Sequence, residues 1–257
     1  MKKLIILNFL ALFALTASLK AGSLRTEIFN KVEQVKKQNK KPIIVFDLDS
    51  TLMNNGPRSY FIMKEYVSKF KPELYSKVSR LNAFQMPYWV KDHWKAAKID
   101  ANSFMKDYLE FWKLRFFSDS YQAYDVAYED TSELVSELHK KGVFVVYLTG
   151  RDIPRMLVGT TASLQQFGFP LGDINTLLLM KPDKKTDDTV YKATVINWLK
   201  SSGEVVATFD NEPKNVNLFS KSFPKAKNVF LDTNCAHPEV KLRKEVISIK
   251  SFTDKDF

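Results

Sequence analysis

Asp47 and Asp49 stand two residues apart in Asp47-Leu48-Asp49-Ser50-Thr51, directly after the apolar run Ile43 to Phe46. On extended backbone, residues i and i+2 share a face, so both carboxylates would meet at a strand tip. There one can attack an electrophile while the other handles a proton. Close together in a low dielectric they repel, and they need a cation or a shared proton. In isolation Asp-x-Asp also serves turns and helix starts. Three more polar clusters follow apolar runs or open a helix. Thr149-Gly150-Arg151 follows Val143 to Leu148 and offers a hydroxyl and backbone N–H groups to a phosphate oxygen. Asp210-Asn211-Glu212 follows Val205 to Phe209 and puts a carboxylate where a buried strand has no structural need of one. Asp187 to Lys192 opens a helix and carries an ammonium group suited to a phosphoryl oxygen.

These clusters need a scaffold that brings strand tips together. From Pro42 onward, unbroken apolar or β-branched runs (Ile43 to Phe46, Val143 to Leu148, Thr176 to Met180, Val205 to Phe209, Val229 to Leu231) alternate with helical stretches. Such runs are expected of strands buried on both faces of a parallel sheet. Asp130-Thr131-Ser132-Glu133 predicts a capping-box helix start, and Gly142, Gly168 and Gly203 predict helix ends. The alternation predicts an α/β fold, a three-layer Rossmann-like parallel sheet, and ligands bind outside the carboxyl ends of such strands. Residues 54–128 break the rhythm: they hold 18 of the 34 aromatics. That density predicts a helical insert after the first strand, with its own core. Ala101, Phe104, Met105, Tyr108, Leu109, Trp112 and Phe116 follow helical spacing, with Asp100 placed to cap the helix. Residues 23 to 41 read as a polar, Lys-rich helix leading into the domain.

The chain has 257 residues, 45% of them hydrophobic, with eight glycines and one cysteine, which excludes a disordered, collagen-like or disulfide-scaffold protein. Met1-Lys2-Lys3, the apolar stretch Leu4 to Leu19 and Ala21 have the three parts of a secretory signal peptide over residues 1–21. As a helix the apolar stretch covers about 24 Å, short of a bilayer's roughly 30 Å hydrocarbon core. The expected location is periplasmic or secreted, with no stable membrane insertion once the leader is cleaved. Cleavage would lower the formal charge from +10 to +7. The charge permits partners such as nucleic acid or phosphate esters but selects no chemistry.

In this order, the four clusters resemble the haloacid dehalogenase-like superfamily of phosphohydrolases, over roughly Pro42 to Asp232. Asp47-Leu48-Asp49-Ser50-Thr51 matches its D-x-D-x-T first motif, Thr149 its second, Lys192 its third and Asp210 its fourth. Tyr128 to Phe169 also looks like secreted acid phosphatases of that superfamily. The resemblance implies a core over 42–53 and 129–235 and a mobile helical cap over 54–128. It implies Asp47 as nucleophile, forming an aspartyl-phosphate, and Asp49 as the acid and base. Thr149, Gly150 and Lys192 would bind the phosphate. Magnesium would sit on Asp47, the Asp49 carbonyl and Asp210.

Two departures stand out. Asn211 and Asn215 occupy a region where many members carry a second aspartate, so Glu212 is a candidate to complete the outer shell of the metal. Lys181, directly after a strand, competes with Lys192 for the third position. Asp49 separates the chain from true dehalogenases, which lack that residue. The expected activity is a metal-dependent phosphomonoester hydrolase acting on small phosphorylated substrates. Alternatives are a phosphotransferase or phosphomutase with the same nucleophile, a nucleic-acid 3′-phosphatase, and an inactive binding module. Tyr60, Phe61, Tyr88, Trp89 and His93 are candidates to face the substrate, with His93 favoured as a surface or hydrogen-bonded histidine over a catalytic one. Cys235 and His237 are two ligands at most and do not make a metal site. The oligomeric state stays open.

Overall fold

Apolar runs with period two or no period become strands, and those with helical period pack over them. The computed structural model describes residues 23–253 and 257, and the expected leader lies outside them. Among the described residues the strands are β1 (Pro42–Phe46), β2 (Met53–Asn54), β3 (Val126–Ala127), β4 (Phe144–Asp152), β5 (Thr176–Lys181), β6 (Glu204–Asp210), β7 (Lys227–Leu231) and β8 (Ile247–Ile249). Helices are α1 (Leu24–Lys37), α2 (Gly56–Phe70), α3 (Tyr75–Val78), α4 (Val90–Ala96), α5 (Met105–Phe116), α6 (Thr131–Lys140), α7 (Ile153–Gln166), α8 (Asp188–Thr194), α9 (Ile196–Ser202) and α10 (Pro213–Ser222). No helix of the described residues is long and apolar enough to cross a membrane.

Six strands form one sheet in the order β5-β4-β1-β6-β7-β8, every pairing parallel. Alternate residues of each central strand feed opposite layers. Ile44 and Phe46 of β1, with Val145 and Tyr147 of β4, pack under α1 and α6. Ile43 and Val45, with Val146 and Leu148, pack under α9 and α10. This is the three-layer Rossmann-like α/β fold expected from the alternation. The sixth strand, β8, lies beyond the expected end of the core at 235. Its three residues sit at the sheet edge, too short a run to signal a strand.

Between β2 and β3, which pair antiparallel, the chain makes the helical insert. Tyr66, Trp94, Phe104, Tyr108 and Trp112 gather with Ile62, Met63 and Val67 in a core separate from the sheet's two layers. Tyr66 alone meets Trp94, Tyr108 and Phe111 edge to face. At the junction with α7, a Cβ on Gly159 would lie 2.3 Å from the Asp119 carbonyl oxygen. Only a glycine lets α7 approach the returning chain this closely.

Two local expectations are corrected. The helix containing Trp112 begins at Met105, not Ala101. Asp100 instead accepts a hydrogen bond from the Asn102 amide at 3.0 Å, a turn that competes with helix initiation. Asp130 precedes α6 in the left-handed region (φ 62°) and makes no side-chain cap. The Thr131 hydroxyl donates to the Tyr128 carbonyl at 2.6 Å.

His93 lies fully buried in the insert core, with its ring nitrogens 3.2 Å from the Tyr108 hydroxyl and 3.0 Å from the Pro87 carbonyl. Burial pushes its pKa down to about 4. The unfolded chain, titrating near 6.5, then binds more protons than the folded one between those values. Stability is therefore full above about pH 6.5 and falls as pH drops toward 4, by about 3 kcal/mol. In urea denaturation across that range, stability should rise more steeply with pH in the wild type than in His93→Gln, the difference being the His93 contribution.

Candidate active site

β1 is flanked by β4 and β6, and the registers Phe46 opposite Tyr147 and Phe46 opposite Phe209 bring their carboxyl ends side by side. Asp47, Thr149 and Asp210 consequently emerge at one edge of the sheet, outside the strand ends where such sheets bind ligands. After Asp47 the chain turns sharply. The Leu48 carbonyl accepts from the amides of Thr51, Leu52 and Met53, and Ser50 takes a left-handed conformation (φ 58°). Strained backbone of this kind persists where surrounding contacts over-determine it.

Lys192 joins the tips. Its Nζ lies 2.6 Å from Asp47 Oδ1 and 2.6 Å from Asp210 Oδ2, and all three residues are buried. Asp210 Oδ1 accepts from the Glu212 amide at 2.9 Å and from Asn215 Nδ2 at 3.2 Å, while Thr189 donates to Asn215 Oδ1. Asn215 thus orients the Asp210 carboxylate. One ammonium faces two buried carboxylates. Burial therefore raises the Asp47 pKa despite Lys192, and Asp210 adds to the effect. On Lys192 the two carboxylates overcome burial and keep it charged.

Lys181 goes elsewhere: its Nζ donates to Asp188 Oδ1 at 2.6 Å and to the Thr186 carbonyl at 3.0 Å. Asp188 in turn packs on Gly150, where an added Cβ would lie 2.2 Å from its Oδ2. Gly150 is thereby a close-approach glycine, inside the irregular pairing of β4 with β5 between Thr149 and Asp152. The Thr149 Oγ1 accepts from the Arg151 amide at 3.2 Å, leaving its own O–H to donate.

Asp49 pairs with arginines, and Lys192 with Asp47 and Asp210. Arg151 binds Asp49 through both edges, Nε to Oδ2 and Nη2 to Oδ1, each at 2.8 Å, and Arg58 Nη2 and Asn55 Nδ2 reach Oδ1 at 3.2 and 3.3 Å. Burial would raise its pKa, but the two guanidiniums prevail and hold the carboxyl well below the usual carboxylate range. Arg151 stood in the sequence directly after Gly150, yet nothing there assigned it a partner. Arg58 and Asp125, in the insert and at its return, carried no motif at all.

The donors present suit a hard cation. Asp47 and Asp210 supply oxygen only, and together they exceed the charge of Lys192 by one. Among the described residues no three His, Cys, Asp or Glu side chains converge as a metal cluster. An ion held here would complete its shell from the Asp49 main-chain carbonyl, water and substrate, as magnesium commonly does. Glu212 accepts from the Ala236 amide at 2.7 Å. Burial, with Asp210 adding to it, pushes its pKa up to about 7.

The candidate substrate-facing residues separate. Tyr88 and Trp89 are exposed and meet edge to face at 5.2 Å. The Tyr88 phenol, its pKa raised first by burial, also feels Glu212, Asp188 and Asp49. Its segment is fixed by Asn234 Nδ2, which donates to the Met86 carbonyl at 2.8 Å. Phe61 is exposed and stacks on Tyr124, whereas Tyr60 packs toward the insert core and His93 is enclosed in it. Cys235 is half-buried, and His237 Nδ1 pairs with Glu239 at 3.0 Å.

No protein-family model and no curated protein matches the chain. Solved structures do. Protein tyrosine kinase A of Mycobacterium tuberculosis is 11% identical, with a TM-score of 0.53 over 83% of this chain and 95% of that one. A haloacid dehalogenase-like family hydrolase from Streptococcus pneumoniae is 8% identical, with a TM-score of 0.47 over 76% of this chain and 85% of that one. The class C acid phosphatase of Bacillus anthracis, with tungstate bound, is 17% identical at a TM-score of 0.36, over 73% of this chain and 61% of that one. At such identities the likeness is one of fold, and the chain shares with the first of these structures an α/β architecture that extends over most of both molecules.

Proposed function

We propose that this chain is a haloacid dehalogenase-like phosphatase that hydrolyses small phosphomonoesters through an aspartyl-phosphate on Asp47. The observation that carries the reading is Lys192, buried with Nζ 2.6 Å from both Asp47 and Asp210 at adjacent strand tips. A buried ammonium between two carboxylates is a costly arrangement for stability alone. It suits a site that must receive a phosphate dianion beside an attacking carboxylate.

Lys192 occupies Asp47 Oδ1, so Oδ2 is the oxygen that attacks phosphorus as the ester oxygen departs. Asp49 protonates that oxygen, and then takes a proton from the water that attacks the aspartyl-phosphate and releases inorganic phosphate. The guanidiniums favour the ionised Asp49 that the second half requires, and the proton taken there from the attacking water is the one delivered to the ester oxygen of the next substrate. The Thr149 hydroxyl, the Gly150 backbone and Lys192 bind the phosphoryl oxygens. Asp47, Asp210 and the Asp49 carbonyl would hold a magnesium ion, which supplies positive charge against the phosphoryl oxygens. The pairing of Lys181 with Asp188 favours Lys192 as the phosphate-binding lysine.

A panel of phosphomonoesters assayed with magnesium tests the reading. Free phosphate should appear, cease with a chelator and return with added magnesium. Phosphate passing instead to an added alcohol would identify a transferase, and no turnover of any ester with any divalent metal would refute the reading.

A further inference from the structure

Three charges are enclosed beside the acid–base carboxylate. Arg58 and Arg151 have side chains 0% and 1% exposed, and Asp125 is likewise 0% exposed. Arg58 Nε donates to Asp125 Oδ1 and Arg151 Nη2 to Asp125 Oδ2, each at 2.8 Å, and Arg58 Nη2 closes a second contact to Oδ2. The remaining guanidinium edges are also filled. Arg58 Nη1 donates to the Phe116 carbonyl at 3.1 Å, with the Phe116 ring 4.5 Å beneath the guanidinium. Arg151 Nη1 donates to Gln122 Oε1 at 2.6 Å and to Thr160 Oγ1 at 3.3 Å. Neither arginine has an edge left for a substrate anion, so neither is placed to bind one.

Both point at Asp49 instead, and unevenly. Among the described residues Oδ1 takes three donors, from Arg151, Arg58 and Asn55, and Oδ2 takes only Arg151 Nε. The Asp49 side chain keeps 29% exposure while its two arginine partners keep almost none. Oδ1 is filled by its three donors, and Oδ2, with one, has a lone pair to spare. Two balanced ion pairs buried in this way are seldom better for stability than apolar packing. A bidentate guanidinium, however, fixes a carboxylate's plane as no single point charge can.

We propose that Arg151, locked by Arg58 and Asp125, is a positioning residue that aims Asp49 Oδ2 at the ester oxygen for proton transfer. The inference rests on the acid–base role of Asp49 given above. The lock joins the core to the insert, since Arg151 belongs to β4 and Arg58 to α2, with Asp125 immediately before β3.

Leaving-group dependence tests it, because a dinitrophenolate departs without a proton and an alkoxide does not. In Arg151→Lys, kcat on an alkyl phosphate should fall about 100-fold and on dinitrophenyl phosphate only about 3-fold, with KM little changed. The charge-neutral pair Arg58→Met/Asp125→Asn should show the same split to a smaller degree, and it serves if Arg151→Lys fails to fold. Equal losses on both esters, or a raised KM at unchanged kcat, would overturn the positioning role. Asp49→Asn separates the two layers of the argument. If it shows no split, the acid–base reading of Asp49 has failed; if it shows one and the arginine variants do not, only the positioning role has.

Discussion

Asp47→Asn should lose phosphomonoester hydrolysis by about three orders of magnitude or more while folding as the wild type does. The amide keeps the size of the carboxyl but cannot attack phosphorus. The fold should hold because the Asp47 backbone amide donates to the Phe209 carbonyl at 2.9 Å, and an asparagine oxygen can still accept from Lys192. Lys192 keeps its bond to Asp210 Oδ2 at 2.6 Å, so no buried charge is left alone. Removing the carboxylate also relieves a group that resists ionisation in this surrounding. Denaturation midpoints should match the wild type or rise slightly, a change of about 1 kcal/mol at most. Phosphate release followed beside a thermal melt checks both halves. Wild-type turnover in the variant would exclude the covalent route, and collapse of the fold would show that the side chain was structural.

Lys192→Met should damage both activity and stability. The methionine fills much of the lysine's space but leaves Asp47 and Asp210 facing one another, buried and without a cation. Removing one partner of a buried ionic group costs about 3–5 kcal/mol. Lowering the pH should shrink the loss, since protonating the carboxylates removes the repulsion. Activity should fall about 100-fold or more as the phosphoryl oxygens lose their ammonium partner. The double variant Lys192→Met/Asp47→Asn removes one of the repelling charges and should recover part of the stability with no activity. Guanidinium denaturation of the three variants forms a cycle from which the coupling between the two residues is read directly. Additive losses would show that the short contacts carry no energetic link.

In this chain the order of chemical groups along the sequence and the pattern of apolar runs say a great deal. Ile43 to Phe46 is apolar at every position because both faces of β1 are covered, and that continuity identified a central parallel strand before any packing was known. The polar residues that end β1, β4 and β6 stood out because nothing in a buried strand calls for a carboxylate or a hydroxyl. The aromatic density of residues 54–128 announced a second core for a similar reason: rings at helical spacing bury one another.

Helix starts were harder to read, since Asp100 and Asp130 carry side chains that serve a turn as well as a cap, and the backbone angle at each decides which. The choice between Lys192 and Lys181 was also open in the sequence. Lys181 adjoins an apolar run and Lys192 lies near a helix start, and either place can present an ammonium to a strand tip. Packing separates the two, by seating Asp188 on Gly150 where Lys181 pairs with it, and by burying Lys192 between two strand tips. The guanidinium lock on Asp49 lay entirely beyond the sequence. Its members are separated by up to 102 residues and come from the core and the insert alike. Local pattern reports which groups a strand tip presents, because that depends on neighbours in the chain. Which charges then pair depends on distances set only when the sheet, its covering helices and the insert close around them.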